Sequence, residues 1–116
     1  MKQNISVTRA RTHKLKISLT GPGGFPYELV PGEKLIFGVK KTLTDSNYAI
    51  IKTVEYDAKL EDGTYPIELT PSDTESLIPN TAYFYDIGLQ SGSAYYSIID
   101  TSKIYLEGNV TKKEAQ

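Results

Sequence analysis

The stretch LTPSDTESLIPNTAYFYDI, residues 69–87, joins a capped helical turn to an aromatic strand and decides the fold. Thr70 is suited to cap a helix because a proline follows it, and the missing N–H of a proline costs nothing at the first helical position. Asp73, three residues after the cap, takes the place of the Glu or Gln of a capping box. We therefore predict a short helix over residues 71–77 and then a strand over Thr81–Leu89. Such a crossover before a central strand is typical of a Greek-key sandwich.

Apolar and polar residues alternate with a period of two along most of the remaining chain, which indicates half-buried strands. The further predicted strands are His13–Leu19, Lys34–Thr42, Tyr48–Tyr56, Tyr65–Leu69 and Ala94–Leu106, the last interrupted near Asp100-Thr101-Ser102. Turns rich in Gly and Pro separate them at the spacing of a sandwich or barrel. We predict one all-β domain over residues 1–116, an immunoglobulin-like antiparallel β-sandwich of seven to nine strands. It has one short helical turn near residues 71–77 and a frayed tail at about 111–116.

The same alternation predicts which side chains face the core. The predicted inward residues include Tyr48, Ile50, Val54 and Tyr56 in one strand and Tyr83, Tyr85, Ile87 and Leu89 in another. Pro66 falls on the outer side of its strand, which favours an edge position or a bulge because proline cannot donate to the ladder. Tyr95 and Tyr96 are adjacent and must point to opposite faces, so one of them is predicted to look outward.

Composition excludes several functional classes. The chain has 116 residues and no Cys, so a disulfide framework, a thiolate metal site and a thiol nucleophile are all excluded. No segment has the length or apolarity of a signal peptide or a membrane span, so we expect cytoplasmic synthesis and no membrane partner. The net charge of −1 argues against a general nucleic-acid binder.

Two groups of side chains are candidate contacts with a partner. Residues 1–27 carry a net charge of +5 and the remainder −6. This asymmetry could mark a contact surface for an acidic partner, but we favour one solvated strand face beside ordinary acidic loops. The tyrosines beside the predicted tip Ser91-Gly92-Ser93 match the composition of adaptable binding surfaces, although ordinary strand propensity also explains them. The candidate interface residues are Tyr95, Tyr96, Arg9, Arg11, Lys14 and Lys16, with Lys2 in the same basic segment.

Catalytic and metal-binding patterns are weak throughout. His13 is the only histidine and has no recognisable catalytic partner, and no Gly-x-Ser-x-Gly sequence occurs. Asp45 with Asn47, or Glu61 with Asp62, offers oxygen ligands that Ca²⁺ accepts, but acidic turn residues are also common for conformational reasons. A pair of separated hydrolase carboxylates remains an alternative on a short chain. We predict no catalytic residue, no cofactor and no metal, and hence a protein that is not an enzyme.

The opening stretch, extended to LTPSDTESLIPNTAYFYDIGL, resembles small β-sandwich structural proteins of tailed phages and prophages of Gram-positive bacteria. In that family a Thr-Pro turn and a Thr-x-x-Leu helix precede a Pro-Gly turn and a Tyr-x-Tyr-Asp-Ile strand. The matching residues here are Thr70, Pro71, Thr74, Leu77, Pro79, Tyr83, Tyr85, Asp86 and Ile87. The segments VTRARTHKLKISLTGPGGFPYEL and KLIFGVKKTLTD are similar to the family's opening and second strand. Ala10-Arg11 stands where Gly-Asp is frequent, and Asn80 replaces the usual turn Gly.

The resemblance covers roughly residues 6–111 and is a pattern of turns and strand residues. It implies a virion-associated structural or protein–protein interaction module of the tail or baseplate type, which is not an enzyme. The implied partners are other virion or tail proteins, or further copies of the same chain. A carbohydrate-binding or host-surface adhesion domain is the alternative that the tyrosine-rich composition leaves open.

Overall fold

Two β-sheets enclose a hydrophobic core in the computed structural model, which describes residues 3–108. The strands are β1 (Ile5–Thr8), β2 (His13–Ile17), β3 (Glu33–Lys40), β4 (Ile50–Glu55), β5 (Tyr65–Leu69), β6 (Thr81–Ser91) and β7 (Ala94–Glu107). The large sheet has the order β1-β7-β6-β3-β4, and the small sheet pairs β2 with β5. The predicted all-β, sandwich-like fold is thus confirmed, whereas the predicted tail at 111–116 lies outside the described residues.

One strand pair departs from the antiparallel arrangement that the sequence predicts. β1 runs parallel to β7, with Ile5 opposite Ile104, and this makes the large sheet mixed. The other four pairs between these strands are antiparallel. A parallel pair needs a long connection, and here nearly the whole chain separates the first strand from the last. Period-two patterning cannot reveal strand direction, because it fixes only which face each side chain takes.

The core consists of the alternating apolar residues that the sequence singles out. Leu35, Phe37 and Val39 on β3 have no exposed side-chain surface, and Tyr65 and Leu69 on β5 are equally buried. Tyr83 and Tyr85 on β6 are buried, as predicted, and their hydroxyls contact backbone groups. The Tyr83 hydroxyl accepts the Ile78 N–H at 3.1 Å, and the Tyr85 hydroxyl donates to the Gln3 carbonyl.

Several predicted boundaries are wrong in detail. Strand β4 begins at Ile50, so Tyr48 lies before it and Tyr56 opens a short 3-10 turn after it; both tyrosines are exposed rather than inward. The helix α1 is Pro71–Thr74, half the predicted length. Strand β7 continues through residues 100–102, where the predicted break is instead a register shift against β6. Bulges of this kind add residues to one strand without ending the ladder.

The helix α1 fastens the first strand to the rest of the sandwich. The hydroxyl of Thr74, which has no exposed surface, accepts the Ala10 N–H at 2.8 Å. Arg9 reaches the same segment, with its Nε donating to the Leu77 carbonyl at 2.8 Å and its terminal nitrogen to the Glu75 carbonyl. Ala10 takes a left-handed conformation (φ 59°), which glycine adopts more easily than other residues. We call these contacts between residues 9–10 and 74–77 the N-terminal latch.

Replacing Thr74 by Val tests this latch. The substitution keeps the shape of the side chain but leaves the buried Ala10 N–H without an acceptor, so we expect the free energy of unfolding to fall by about 1–3 kcal/mol. Chemical denaturation measures the change. Thr53→Val, at an exposed position of β4, is the matched control and is expected to change stability by less than about 0.5 kcal/mol. Equal stabilities for the two variants would show that the latch contributes nothing.

Asp73 makes the stability of the helix turn depend on pH. Burial alone would raise its pKa, but Lys52 at 2.9 Å and the Thr70 N–H at 2.7 Å stabilise the carboxylate and bring the pKa below its ordinary value. A lowered pKa contributes stability above the ordinary aspartate range, and this contribution disappears as pH falls through the folded-state pKa. Asp73→Asn is therefore expected to cost about 1 kcal/mol at pH 7 and much less near pH 3. Thermal unfolding of both proteins across this range checks it; a constant difference would contradict it.

Candidate interaction surface

The outer face of the large sheet is the face turned away from β2 and β5. Outward residues of β3, β4, β6 and β7 form it, because the inward positions of these strands fill the core. Several large apolar side chains stay exposed there, including Ile51 at 52 % and Tyr95 at 56 % of their surface. A contiguous exposed apolar surface of this kind is typical of an interaction site.

Tyr48 lies directly over Gly38 on this face. A Cβ atom built on Gly38 would come within 2.7 Å of the Tyr48 ring, so only glycine leaves room for the ring in this position. The Lys40 ammonium lies 4.9 Å from the centroid of the same ring, within cation–π range. Tyr48 nevertheless remains half exposed. The glycine therefore holds an aromatic ring at the surface without burying it.

Tyr95 repeats the arrangement one strand away. A Cβ atom on Gly88 would lie 2.0 Å from the Tyr95 hydroxyl, so the phenol tip rests against the Gly88 backbone. Burial raises the pKa of the Tyr95 hydroxyl, and the negative charge of Asp86 raises it further. Gly38 pairs with Asp86 across β3 and β6, and Gly88 is two residues along the same face of β6. The two tyrosines thus flank Asp86; we call these five residues the tyrosine–aspartate patch.

Asp86 differs from the aspartates that form turns. Asp45 accepts the Thr42 N–H, and Asp62 accepts the Thr64 N–H and the Lys16 ammonium; these bonds lower the pKa of both carboxyls. Burial raises the pKa of Asp86, and Lys40 opposes this only through space. No hydrogen-bond donor within residues 3–108 contacts the Asp86 carboxylate. A small pocket of about 170 Å³ opens beside it, lined by Lys40, Leu43, Tyr48, Phe84 and Thr101.

A second, larger cleft opens at the end of the sandwich where β7 begins. It encloses about 1010 Å³ between the free edge of β2 and the first half of β7. Its walls combine apolar side chains such as Ile17, Leu19 and Tyr96 with the hydroxyls of Ser91 and Ser97. Tyr96 is exposed at 59 % of its surface, so both predicted tyrosines are exposed, not one of them. They occupy different surfaces, since Tyr95 pairs with Gln90 and Tyr96 with Leu89.

The structure does not gather the predicted basic residues around these tyrosines. Arg9 belongs to the N-terminal latch, and Arg11 donates to the Ala10 carbonyl at 3.2 Å. Lys14 pairs across the small sheet with Glu68, and Lys16 binds Asp62 at 2.9 Å. Of the four, Lys16 alone lines the cleft that also contains Tyr96. Lys2 lies outside the described residues. The basic segment therefore fits the solvated strand face better than a surface for an acidic partner.

The residues considered for catalysis and metal binding have structural contacts. The His13 ring lies beside the Thr8 backbone, with its Nε2 atom 3.0 Å from the Thr8 nitrogen. Asp45 and Asp62 close their own turns, and within residues 3–108 no three His, Asp or Glu side chains are grouped as metal ligands. No helix in that range is long and apolar enough to cross a membrane.

Sequence reasoning found Tyr95 but missed the rest of the patch. Tyr48 was predicted inward because the alternation was extended two residues beyond the true start of β4. Gly38 and Gly88 were the available signal. Each interrupts a strongly apolar strand at an outward position, and a glycine within a strand often marks the close approach of another group.

Gly88→Ala tests the contact that positions Tyr95. The new methyl group overlaps the phenol tip, so we expect the exposed ring to move away from β6. The pKa of Tyr95 should then fall toward its ordinary value, because the hydroxyl becomes less buried. The fold should persist. Stability should change by less than about 1 kcal/mol. NMR titration of carbon-labelled tyrosines measures the pKa, and the Tyr105 resonance on the same face is the control, expected to keep its position. An unchanged Tyr95 titration would refute the contact.

The arrangement presents rigid aromatic rings and one carboxylate on an open sheet face, and a cleft with mixed walls at one end. Comparison with known proteins adds no assignment to this geometry: no protein-family model matches the chain, and no curated protein matches it.

Proposed function

We propose that the protein is a non-enzymatic structural module of a phage or prophage virion, of the tail or baseplate type, which works by binding other proteins. The virion assignment rests on the resemblance of residues 6–111 to phage β-sandwich proteins. The binding role rests on one observation, the tyrosine–aspartate patch on the outer face of the large sheet. The partners are other tail components or further copies of the same chain.

Rigidity and exposure together make the patch suitable for a protein contact. Tyr48 and Tyr95 are about half exposed, and each ring packs against a glycine backbone. A tyrosine that is ordered before binding loses little conformational entropy when a partner covers it. Tyrosines are also enriched among the residues that contribute most to interface energies. Exposed apolar residues beside the patch, including Ile51 and Leu43, extend the area that a partner would cover.

The fold supplies a stiff support for this contact. Three residues of the patch lie on the interior strands β3 and β6, whose inward faces carry fully buried side chains such as Phe37 and Ile87. Displacing these strands would disturb the core, so the patch keeps its shape under load. Virion components that transmit force or fix symmetry need such a scaffold more than they need a pocket.

Tyrosine variants test the proposed role. Tyr48→Ala and Tyr95→Ala remove an anchor each, and either is expected to weaken association at least tenfold, as typical interface anchors do. Tyr105→Ala, at an exposed position of the same face, is the control and is expected to change association by less than threefold. Light scattering across a wide concentration range gives the mass of the protein, alone and mixed with purified structural proteins of the same virion.

Two outcomes would argue against this role. The wild-type protein could stay monomeric at all concentrations and bind none of the virion proteins. Alternatively, association could persist unchanged in the double variant Tyr48→Ala/Tyr95→Ala. Circular dichroism of each variant is needed beside the mass measurement, so that loss of association is not confused with loss of the fold.

A carbohydrate-binding or adhesion role is the second candidate, and the cleft at Tyr96 favours it. The exposed Tyr96 ring and the hydroxyls of Ser18, Thr20, Ser91 and Ser97 line the same opening, which combines a stacking surface with hydrogen-bonding groups. Under this alternative, host cell-wall polysaccharide binds saturably and Tyr96→Ala abolishes the binding, whereas Tyr95→Ala does not. Binding that is indifferent to Tyr96 would remove this candidate.

A further inference from the structure

We propose that the pocket beside Asp86 receives the guanidinium group of an arginine side chain from a partner protein. This inference rests on the proposed function, because it specifies what the tyrosine–aspartate patch recognises. The ligand class follows from the charge, the neighbouring rings and the size of the pocket.

The charge of the site is its first determinant. Asp86 is a carboxylate on an aromatic surface, and no donor within residues 3–108 stabilises it. The neighbouring groups withdraw it partly from water, which explains why its pKa is raised while those of Asp45, Asp62 and Asp73 are lowered. A cation that binds there would supply the hydrogen-bond donors that the described residues do not give this carboxylate. The pocket is therefore complementary to a positive group.

The aromatic surroundings select the kind of cation. Tyr48 and Phe84 line the pocket with Asp86, and Tyr95 is near enough for the Asp86 charge to raise the pKa of its hydroxyl. The faces of aromatic rings attract positive charge. A guanidinium is planar, so it can donate two hydrogen bonds to a carboxylate and stack on an aromatic ring at the same time, which an ammonium cannot do. The molecule already contains one cation–π contact at this site. The Lys40 ammonium lies over the Tyr48 ring instead of pairing with Asp86.

The size of the site indicates a side chain and not a larger ligand. The pocket of about 170 Å³ is shallow and holds a single small group. Exposed apolar side chains surround it, among them Leu43 and Ile51, and these suit the protein surface from which an arginine would project. A metal ion is not favoured, since Asp86 is the only carboxylate among the lining residues.

Lys40 provides a second test of the proposal, because removing its charge should strengthen the binding of arginine. Its charge lies close enough to influence Asp86 and so repels an incoming guanidinium, while its ammonium occupies one face of Tyr48. Lys40→Gln should therefore raise the affinity for arginine, whereas Asp86→Asn should lower it. A surface that attracted cations only through general negative charge would respond to both changes too, but it would not localise the effect at Gly38 and Gly88.

The experiment is an NMR titration of the nitrogen-labelled full-length protein with the capped peptide Gly-Ser-Arg-Ser-Gly. The matched control peptide carries citrulline, which has nearly the same shape and no charge. We expect saturable shifts centred on the Gly38 and Gly88 amides, with dissociation constants in the millimolar range for so small a ligand. Citrulline should bind at least tenfold more weakly, and raising the NaCl concentration should weaken the arginine complex.

The protein variants complete the test. Asp86→Asn is expected to weaken the arginine peptide at least tenfold and Lys40→Gln to strengthen it two- to fivefold. Asp86→Asn should also unfold at the same temperature as the wild type or a higher one, because a purely structural aspartate would lose stability instead. Absence of shifts at the two glycines, equal binding of citrulline, or undiminished binding by Asp86→Asn would each overturn the inference.

Failure of this inference and failure of the proposed function are distinguishable. If Tyr48→Ala and Tyr95→Ala disrupt association with virion proteins while Asp86→Asn does not, the patch is an interface but does not recognise arginine. If the arginine peptide binds at the glycines but the tyrosine variants leave virion association intact, the pocket exists and the assigned role of the patch is wrong.

Discussion

The hydrogen bond from the Ala10 N–H to the buried Thr74 hydroxyl is the contact on which the arrangement of the sandwich depends. It joins the turn between β1 and β2 to the helix before β6, and so connects the chain's first strands with its central one. Without this bond, the buried Ala10 N–H between β1 and β2 would have no acceptor. This explains the capped turn before the aromatic strand: it is an attachment point for the N-terminal segment, and the short length of α1 is sufficient for that purpose.

Sequence patterning predicted the core and the class of fold because both follow from local alternation. Tyr83, Tyr85, Ile87 and Leu89 were identified as inward from spacing alone, and all four are buried. The parallel pairing of β1 with β7 was not predictable in this way, since the two strands are distant in sequence and alternation carries no information about direction. Tyr48 was predicted inward, but it lies in the turn before β4 and is exposed. Alternation alone does not show where a strand begins.

The candidate site was harder to predict than the fold because its parts belong to different strands. Gly38, Asp86 and Tyr95 become neighbours only through the registers of β3, β6 and β7. Each residue has an ordinary explanation when taken alone: a glycine weakens a strand, an aspartate solvates a surface, and a tyrosine suits a sheet. Their combination is unusual because a carboxylate that receives no hydrogen bond from residues 3–108 lies beside tyrosine rings that pack against glycines.

The parallel pairing of the first and last strands also determines how the domain responds to mechanical force. When tension pulls β1 toward its N-terminal end and β7 toward its C-terminal end, the strands slide along each other, because they point in the same direction. The hydrogen bonds between them are then loaded together in shear, whereas a hairpin pulled at its two ends opens one bond at a time. Ala10 and Arg9 extend this resistance by tying the end of β1 to a third segment. A module built in this way can bear tension along its chain without separating its sheets.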